Sequence, residues 1–463
     1  MDSSKSINTA EAAIATLNSS DDDGLRYYAA WWLGKHRISE ACPLLCDCLK
    51  DDRYRTTLGG YPLRRQAARS LGFLKDHQAT PALIKSLKCP DYKLQEAVIL
   101  AMKDIGDSTA ISALLDFFFA EEAEKPYEAL IETFATFQVW EIKDQIKPFL
   151  QHTSERVKGA AALYFYSLTL EPYYLQMLLQ NLDHKNRFLR LAAAFDLAAL
   201  SQVETAPAIV QAQISNNIKL AVLKRMLESS LHNQHQKDVQ RIELINFLFH
   251  AIDGLLLDAI EGNISRSNTE GSRHEAEKIT DLLARSQIAS EQEFKSLNHV
   301  LIEAVKSVHP NVKTAAIKGL VQLAPASTDA IIQALDSDPD QDLKAGLTQA
   351  LVAIADPRTF LVLDKVIGIE IATHCQGKIR RVATRGLGKI GRVSRDPAII
   401  EKIVEKLTWI LHNPDDWALR YSAVVSLEEI GDSETIGILA LAADSEADLI
   451  VQARTKRALA VIS

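Results

Sequence analysis

The sequence predicts an all-α fold, an α/α superhelical solenoid of stacked helix pairs, and three observations predict it. One segment keeps recurring, as LRYYAAWWLGK from Leu25, LRRQAARSLGF from Leu63, IRRVATRGLGKIG from Ile379 and LRYSAVVSLEEIG from Leu419. Each copy has an apolar-basic start, a small-residue middle and a leucine two helical turns on, the buried stripe of one amphipathic helix. The helix pairs these copies belong to fall roughly 30 to 40 residues apart, the period of HEAT-like repeats. Finally, Gly, Pro and Asp punctuate the chain at that period and never gather into an interdomain linker, so one continuous stack accounts for 463 residues that exceed a single compact core.

Taken in order, the second helices of the pairs begin near Leu25, Leu63, Leu94, Val157, Leu189, Val312, Leu343, Ile379 and Leu419. Acidic turns precede many of them, at Asp22-Asp23, Asp91, Asp183, Asp338-Pro339-Asp340 and Asp415-Asp416, where a carboxylate accepts from the orphan N–H groups of the next helix. Gly106-Asp107, Asp356-Pro357 and Gly431-Asp432 end helices. From Phe117 to Trp140 the chain keeps helical spacing but loses the small central residues, and reads as a degenerate repeat. Between Gly254 and Ser290 the polar run GNISRSNTEGSRHEAEK reads as an exposed loop. The expected organisation is an amino-terminal HEAT-like arm over residues 1–250, an irregular insertion over 251–300 and a carboxy-terminal HEAT-like arm over 301–463.

Composition narrows the function. Lys and Arg number 52 against 60 Asp and Glu, a formal charge of −8, which argues against a nucleic-acid platform because phosphate binding draws on a basic surplus. A polar, acidic start and the lack of any stretch long enough to cross a bilayer lead to the expectation of a soluble cytoplasmic protein with no membrane insertion. Cys42, Cys46, Cys48, Cys89 and Cys375 are an odd set in a long chain, so reduced thiols are expected. Cys42 and Cys46 share a helix face that Cys48 does not, no Cys or His set completes a tetrahedral site, and no metal is expected. Phosphate-loop, serine-elbow and zinc-protease motifs are absent from the sequence.

A solenoid acts through side chains that depart from its repeat. The basic residue opening each second helix (Arg26, Arg64, Lys158, Arg190, Lys313, Lys344, Arg380, Arg420) recurs at one register and fits a structural ladder to the acidic turns of neighbouring repeats. Doubling exceeds that ladder. Arg64-Arg65 with Arg69, and Arg380-Arg381 with Arg385, set guanidinium groups one turn apart, where a helix face grips carboxylates bidentately. The pairs Tyr27/Trp31 and Tyr28/Trp32 put flat rings on two adjacent stripes of one helix, one of them core and the other placed to stack on a planar conjugated ligand.

The segment LRYYAAWWLGKHRISEACPLLCDCLKDD, followed by YPLRRQAARSLGFLKDHQATPALIKSLK, resembles the opening repeats of the E/F-type phycobilin lyases, HEAT-like proteins that attach linear tetrapyrroles to phycobiliproteins, and a weaker likeness extends along most of the chain. The resemblance implies a cyanobacterial cytosolic enzyme of the fused type that acts on phycoerythrin, joining phycoerythrobilin to a cysteine of a phycoerythrin subunit, in some members with isomerisation to phycourobilin. The bilin is substrate and no cofactor is implied. Under that reading Arg64, Arg65, Arg69, Arg380 and Arg381 bind the propionates, Tyr27, Tyr28, Trp31 and Trp32 wall the conjugated plane, and Asp22, Asp23 and Asp196 are candidate acceptors for the pyrrole N–H groups. The acceptor protein supplies the nucleophilic thiol, so the enzyme holds the pigment and delivers a proton, for which Tyr28 and His36 are the candidate catalytic residues. A noncatalytic HEAT scaffold that binds a protein along its groove is the alternative.

Overall fold

The computed structural model describes residues 7–121, 124–232, 239–257, 277–279, 291–338, 340–368, 377–412 and 416–462, and among them every regular element is helical. They pack into two compact units, Met1–Leu200 and Ser201–Ser463. The arms were expected to part at 250, whereas the helices from 216 to 257 pack with the second unit. Most of the polar stretch read as an exposed loop lies outside the described residues.

The first unit runs α1 (Ala10–Ser19), α2 (Asp23–Lys35), α3 (Cys42–Cys48), α4 (Pro62–Leu74), α5 (Thr80–Ser86), α6 (Tyr92–Ile105), α7 (Ile111–Phe119), α8 (Tyr127–Thr136), α9 (Lys143–Ile146), α10 (Glu155–Thr169), α11 (Pro172–Asn181) and α12 (Arg187–Ala199). The second runs α13 (Ala206–Gln211), α14 (Asn216–His232), α15 (Val239–Leu257), α16 (Glu291–Val305), α17 (Pro310–Gln322), α18 (Thr328–Ser337), α19 (Gln341–Ile354), α20 (Phe360–Ile367), α21 (Gly377–Val393), α22 (Pro397–Leu411), α23 (Trp417–Ile430), α24 (Ser433–Ser445) and α25 (Leu449–Ile462). All nine second helices read from the repeat are present. Asp22, Asp91, Asp340 and Asp416 cap theirs as expected, while Asn186 takes the capping place assigned to Asp183.

Within each unit the second helices stack directly on one another, α2 through α12 at even numbers and α17 through α25 at odd ones. Small residues make this approach close. A Cβ on Gly34 would lie 2.6 Å from Ser70 Cα, and one on Gly388 would lie 2.7 Å from Ser426 Cα, so only glycine fits these crossings. Serines seal the same contacts: Ser70 donates to the Ala30 carbonyl at 2.7 Å and Ser426 to the Thr384 carbonyl at 3.0 Å. In the degenerate repeat, aromatic rings replace the small centre, with Phe118 edge-on to Phe134 at 5.6 Å.

In several copies the residue at this register has a second use beside the expected ladder to acidic turns. Arg26 donates to the Leu17 carbonyl (3.2 Å), Arg64 to Lys50 (3.2 Å), Gln95 to Leu87 (3.2 Å), Arg190 to His184 (2.7 Å) and Arg380 to Ile367 (2.7 Å). Each acceptor closes the first helix of the same hairpin, so this register caps a helix carboxy-terminus, where orphan carbonyls and the helix dipole both favour a cation. Acidic turns are engaged as well: Arg26 pairs with Asp51 at 2.5 Å, Arg64 with Asp52, and Arg420 with Glu446 at 2.9 Å.

Candidate functional site

The aromatic helix α2 lies at one end of the row of second helices in the first unit. Tyr28, Trp32 and His36 occupy one stripe; at that register α4 carries Gln66 and Ser70, which are buried, Ser70 against α2. The rings of this helix stay partly open. Tyr28 is 45% exposed and sits 5.2 Å from Trp31, and His36 stacks on Trp32 at 4.0 Å. Tyr27, Trp31 and Trp32 are half-buried, and the Lys35 ammonium lies 5.0 Å over the Trp31 ring. Asp22 accepts from the Leu25 amide as the cap of this helix.

Four of the five arginines assigned to pigment carboxylates belong to the framework. Arg64 and Arg380 make the carboxy-terminal caps described above, and Arg380 is only 5% exposed. Arg65 grips Asp91 with two bonds, at 2.9 and 2.7 Å, and Arg381 grips Asp416 with two at 3.0 Å. Asp91 and Asp416 are the caps of the next second helices, so the second arginine of each doublet ties one repeat to the next. Burial pushes the Asp91 carboxyl up, but Arg65 and the Tyr61 and Leu94 amides outweigh it and hold it below the usual range. Arg69 differs. It is exposed on α4 and lines a shallow pocket of about 150 Å³ with Phe73, Glu96, Leu100 and Asp104, room for a side arm of a tetrapyrrole and not for the whole pigment.

Further along the row, an ion-pair network crosses four second helices. Lys103 of α6 donates to Glu132 of α8 at 2.9 Å, and Arg156 of α10 donates to Glu128 at 2.7 Å, Glu132 at 2.6 Å and Asp196 of α12 at 2.8 Å. Burial raises the Asp196 carboxyl to about 7, Arg156 opposing the rise and Glu132 and Glu128 adding to it. Asp196 appeared among the sequence candidates as one acid of three. Arg156, one residue ahead of the repeat start at Val157, carried no signal. An acid in the small-residue stripe of AAAFDLAA was the available clue.

In the second unit, α15 packs on α21 and α23. Asp253 faces Arg454 of α25 at 3.4 and 3.5 Å, and Arg385 of α21 is turned to Ser426 at 3.1 Å and Glu429 at 3.3 Å. Among the described residues Cys42, Cys46, Cys48 and Cys89 are free thiols, and burial pushes Cys42 up to about 12 and Cys48 to about 11. Among the described residues, no cluster of His, Cys, Asp and Glu is arranged to hold a metal ion, and no helix is long and apolar enough to cross a membrane.

Comparison with known proteins agrees with this architecture. HEAT repeats match residues 61–126 and 368–460, and the PBS lyase HEAT-like repeat matches 25–51. The bilin biosynthesis protein PecE of Mastigocladus laminosus is 52% identical over 259 residues, which are 53% of this chain and 94% of that protein. The phycocyanobilin lyase subunit alpha of Nostoc sp. (strain PCC 7120) is 42% identical over 236 residues, covering 48% and 85%. PecF of M. laminosus is 46% identical over 149 residues, covering 32% and 70%. The solved complex of CpcE and CpcF of phycocyanin lyase from Nostoc sp. PCC7120 aligns at 40% identity and a TM-score of 0.46, over 52% of this chain and 94% of that one. With relatives this similar along nearly their whole length, the chain belongs to the HEAT-repeat bilin lyase family, that of the PecE- and CpcE-type phycobilin lyase alpha subunits.

Proposed function

We propose that this protein joins a linear tetrapyrrole to a cysteine of a phycobiliprotein subunit through a thioether, and that phycoerythrobilin and a phycoerythrin subunit are pigment and acceptor; isomerisation to phycourobilin is a further activity that the colour of the product decides. The observation that carries the general reading is the 52% identity to a bilin biosynthesis protein over 94% of its length. The acceptor thiol adds across the exocyclic double bond of ring A: the sulfur–carbon bond forms, the displaced electron pair enters the conjugated system, and one proton replaces the one the thiol loses. No oxidant or reductant is needed. The protein's task is to hold the pigment plane and the bond's reactive face toward the acceptor.

Within this reading Trp31 and Tyr27 stack the pigment, Trp32 backs His36, and we assign Tyr28 and His36 as the proton donors of the attachment step. Arg69 is the guanidinium we assign to a propionate, since the other four are engaged between or within repeats. A second reading, phycocyanobilin on a phycocyanin subunit, is favoured by relatives named phycocyanobilin lyase subunit alpha.

Co-production in bacteria with bilin-making enzymes and either acceptor separates the two. A coloured, covalently labelled phycoerythrin subunit supports the first reading and a labelled phycocyanin subunit the second, and a blue-shifted product reports isomerisation. Peptide mass mapping names the cysteine. Unlabelled acceptors in every combination would leave the scaffold reading in its place. Trp31→Ala is expected to lower attachment at least ten-fold, and wild-type rates in both Tyr28→Phe and His36→Ala would remove those two residues from the chemistry.

A further inference from the structure

The crossing of α4 on α6 is built at the same registers as that of α21 on α23. Gly72 and Gly388 each come nine residues after the apolar residue that opens their copy, Leu63 or Ile379. They meet Ala101 and Ser426, each seven residues after the leucine that opens the next copy, Leu94 or Leu419. An added Cβ would lie 3.1 Å from Ala101 Cα in the first crossing and 2.7 Å from Ser426 Cα in the second. Beside each crossing the repeat sets the same opposed charges. An arginine comes six residues into one copy, Arg69 or Arg385, and an acid ten residues into the next, Asp104 or Glu429.

The second unit closes that pair. Arg385 donates to Ser426 at 3.1 Å and to Glu429 at 3.3 Å, and it is only 6% exposed. The first unit leaves the pair open. Asp104 is one methylene shorter than Glu429, and Ala101 has no hydroxyl where Ser426 offers one, so the guanidinium loses both partners that fix its counterpart. Among the described residues Arg69 makes no hydrogen bond and no ion pair. Arg69, Phe73 and Asp104 are exposed, and with Glu96 and Leu100 they surround the pocket of about 150 Å³. The Asp104 carboxylate stands over Gly72, whose added Cβ would lie 3.5 Å from it, while Glu96 is turned to Lys93 at 2.8 Å. One wall of the pocket thus carries a cation and the other an anion, with an uncovered aromatic ring beside them.

A ligand that fits such a pocket brings an anion for the guanidinium, an N–H donor for the carboxylate and a flat apolar face for the ring. A propionate-bearing pyrrole carries all three, its acid on a short arm from the ring that holds the nitrogen. We propose that Arg69 and Asp104 are one recognition pair for a single propionate-bearing pyrrole of the pigment: Arg69 holds the propionate, Asp104 accepts from the ring N–H, and Phe73 supports the ring. This rests on the bilin lyase reading and extends the site on α2. Trp31 occupies on α2 the register that Arg69 occupies on α4, six residues after Leu25. Packed helices lie about 8–10 Å apart, a step that four linked pyrroles span, so the pigment runs from Asp104 past Phe73 and Arg69 to the rings of α2. Asp104 binds and orients; the proton donors stay those assigned on α2. Of the acids first considered for the pyrrole N–H groups, Asp22 caps α2 and Asp196 is bound by Arg156, and Asp104 takes that role.

The test uses the full-length protein with phycoerythrobilin and with phycocyanobilin, each as the free acid and as the dimethyl ester. Absorbance titration follows binding, and labelling of phycoerythrin and phycocyanin subunits follows attachment. Wild type is expected to bind the ester about ten-fold more weakly than the acid, and Arg69→Ala to lose most of that difference. Asp104→Ala should weaken acid and ester alike by about ten-fold. It should also move the visible band of the bound pigment to shorter wavelength, because a carboxylate beside the ring nitrogens favours the protonated chromophore. Asp104→Asn keeps an acceptor oxygen and should recover part of the affinity. Equal affinity of wild type for acid and ester overturns the proposal, a result that needs no variant to fold. An Asp104→Ala variant that folds, by circular dichroism, and keeps the wild-type affinity and band overturns it as well. Failure of wild type itself to label any acceptor would instead sink the lyase reading on which this one rests.

Discussion

At the residue scale, two adjacent arginines do different work. The first of each doublet caps the helix before it, and the second, Arg65 or Arg381, makes a two-pronged bond to the aspartate that caps the next second helix. Removing the second strands a carboxylate that the fold has enclosed; Asp91 is 8% exposed. Arg65→Ala is therefore expected to destabilise the first unit by about 2 kcal/mol, read as a lower urea midpoint, with Arg65→Lys intermediate because an ammonium cannot span both oxygens. The doublets were visible in the sequence, and so was their capacity to grip carboxylates. Which carboxylates they grip was not, because Asp91 is 26 residues from Arg65 and Asp416 is 35 from Arg381.

At the element scale, the repeat is a device for bringing helices close. Glycine at a crossing and glycine on a free surface should then respond oppositely to the same change. Gly388→Ala places a methyl group against Ser426 of the neighbouring helix and is expected to cost about 1–3 kcal/mol. Gly437→Ala in α24, where nothing lies within 4 Å, is expected to stabilise by about 0.4–1 kcal/mol through the unfolded chain's lost freedom. Thermal unfolding of the pair checks both signs. The nine second helices were legible because their apolar stripe repeats; α14, α15 and α25 were not singled out, since they carry variant forms of that stripe and are recognised only by what they pack against.

At the scale of the whole molecule, stability depends on pH in two opposite senses. Asp51 is held well below the carboxylate range, first by its bond to Arg53 and then by Arg26, against the cost of burial, and Asp91 lies below it too. Both favour the folded state fully above the ordinary carboxylate value of about 4 and lose that contribution as pH falls. Asp196 runs the other way: its folded value is raised to about 7, so the folded state holds a proton the unfolded chain has released, and its contribution declines as pH rises from about 4 to 7. Denaturant midpoints should thus fall steeply below pH ~4 in wild type, and replacement of Asp196 by Asn should flatten the change on the neutral side.

What the sequence alone determined is the local order: the all-helical hairpins, most of their caps, the row they form and the aromatic helix that departs from it. These follow from spacing and from residue types that act within a turn or two of themselves. Only the tertiary structure decided which charges meet. It closed the arginine doublets onto aspartates one repeat away, and it brought Lys103, Glu132, Arg156 and Asp196 into one network, because stacking, and no sequence proximity, sets four successive helices side by side and removes the water that would otherwise separate their charges.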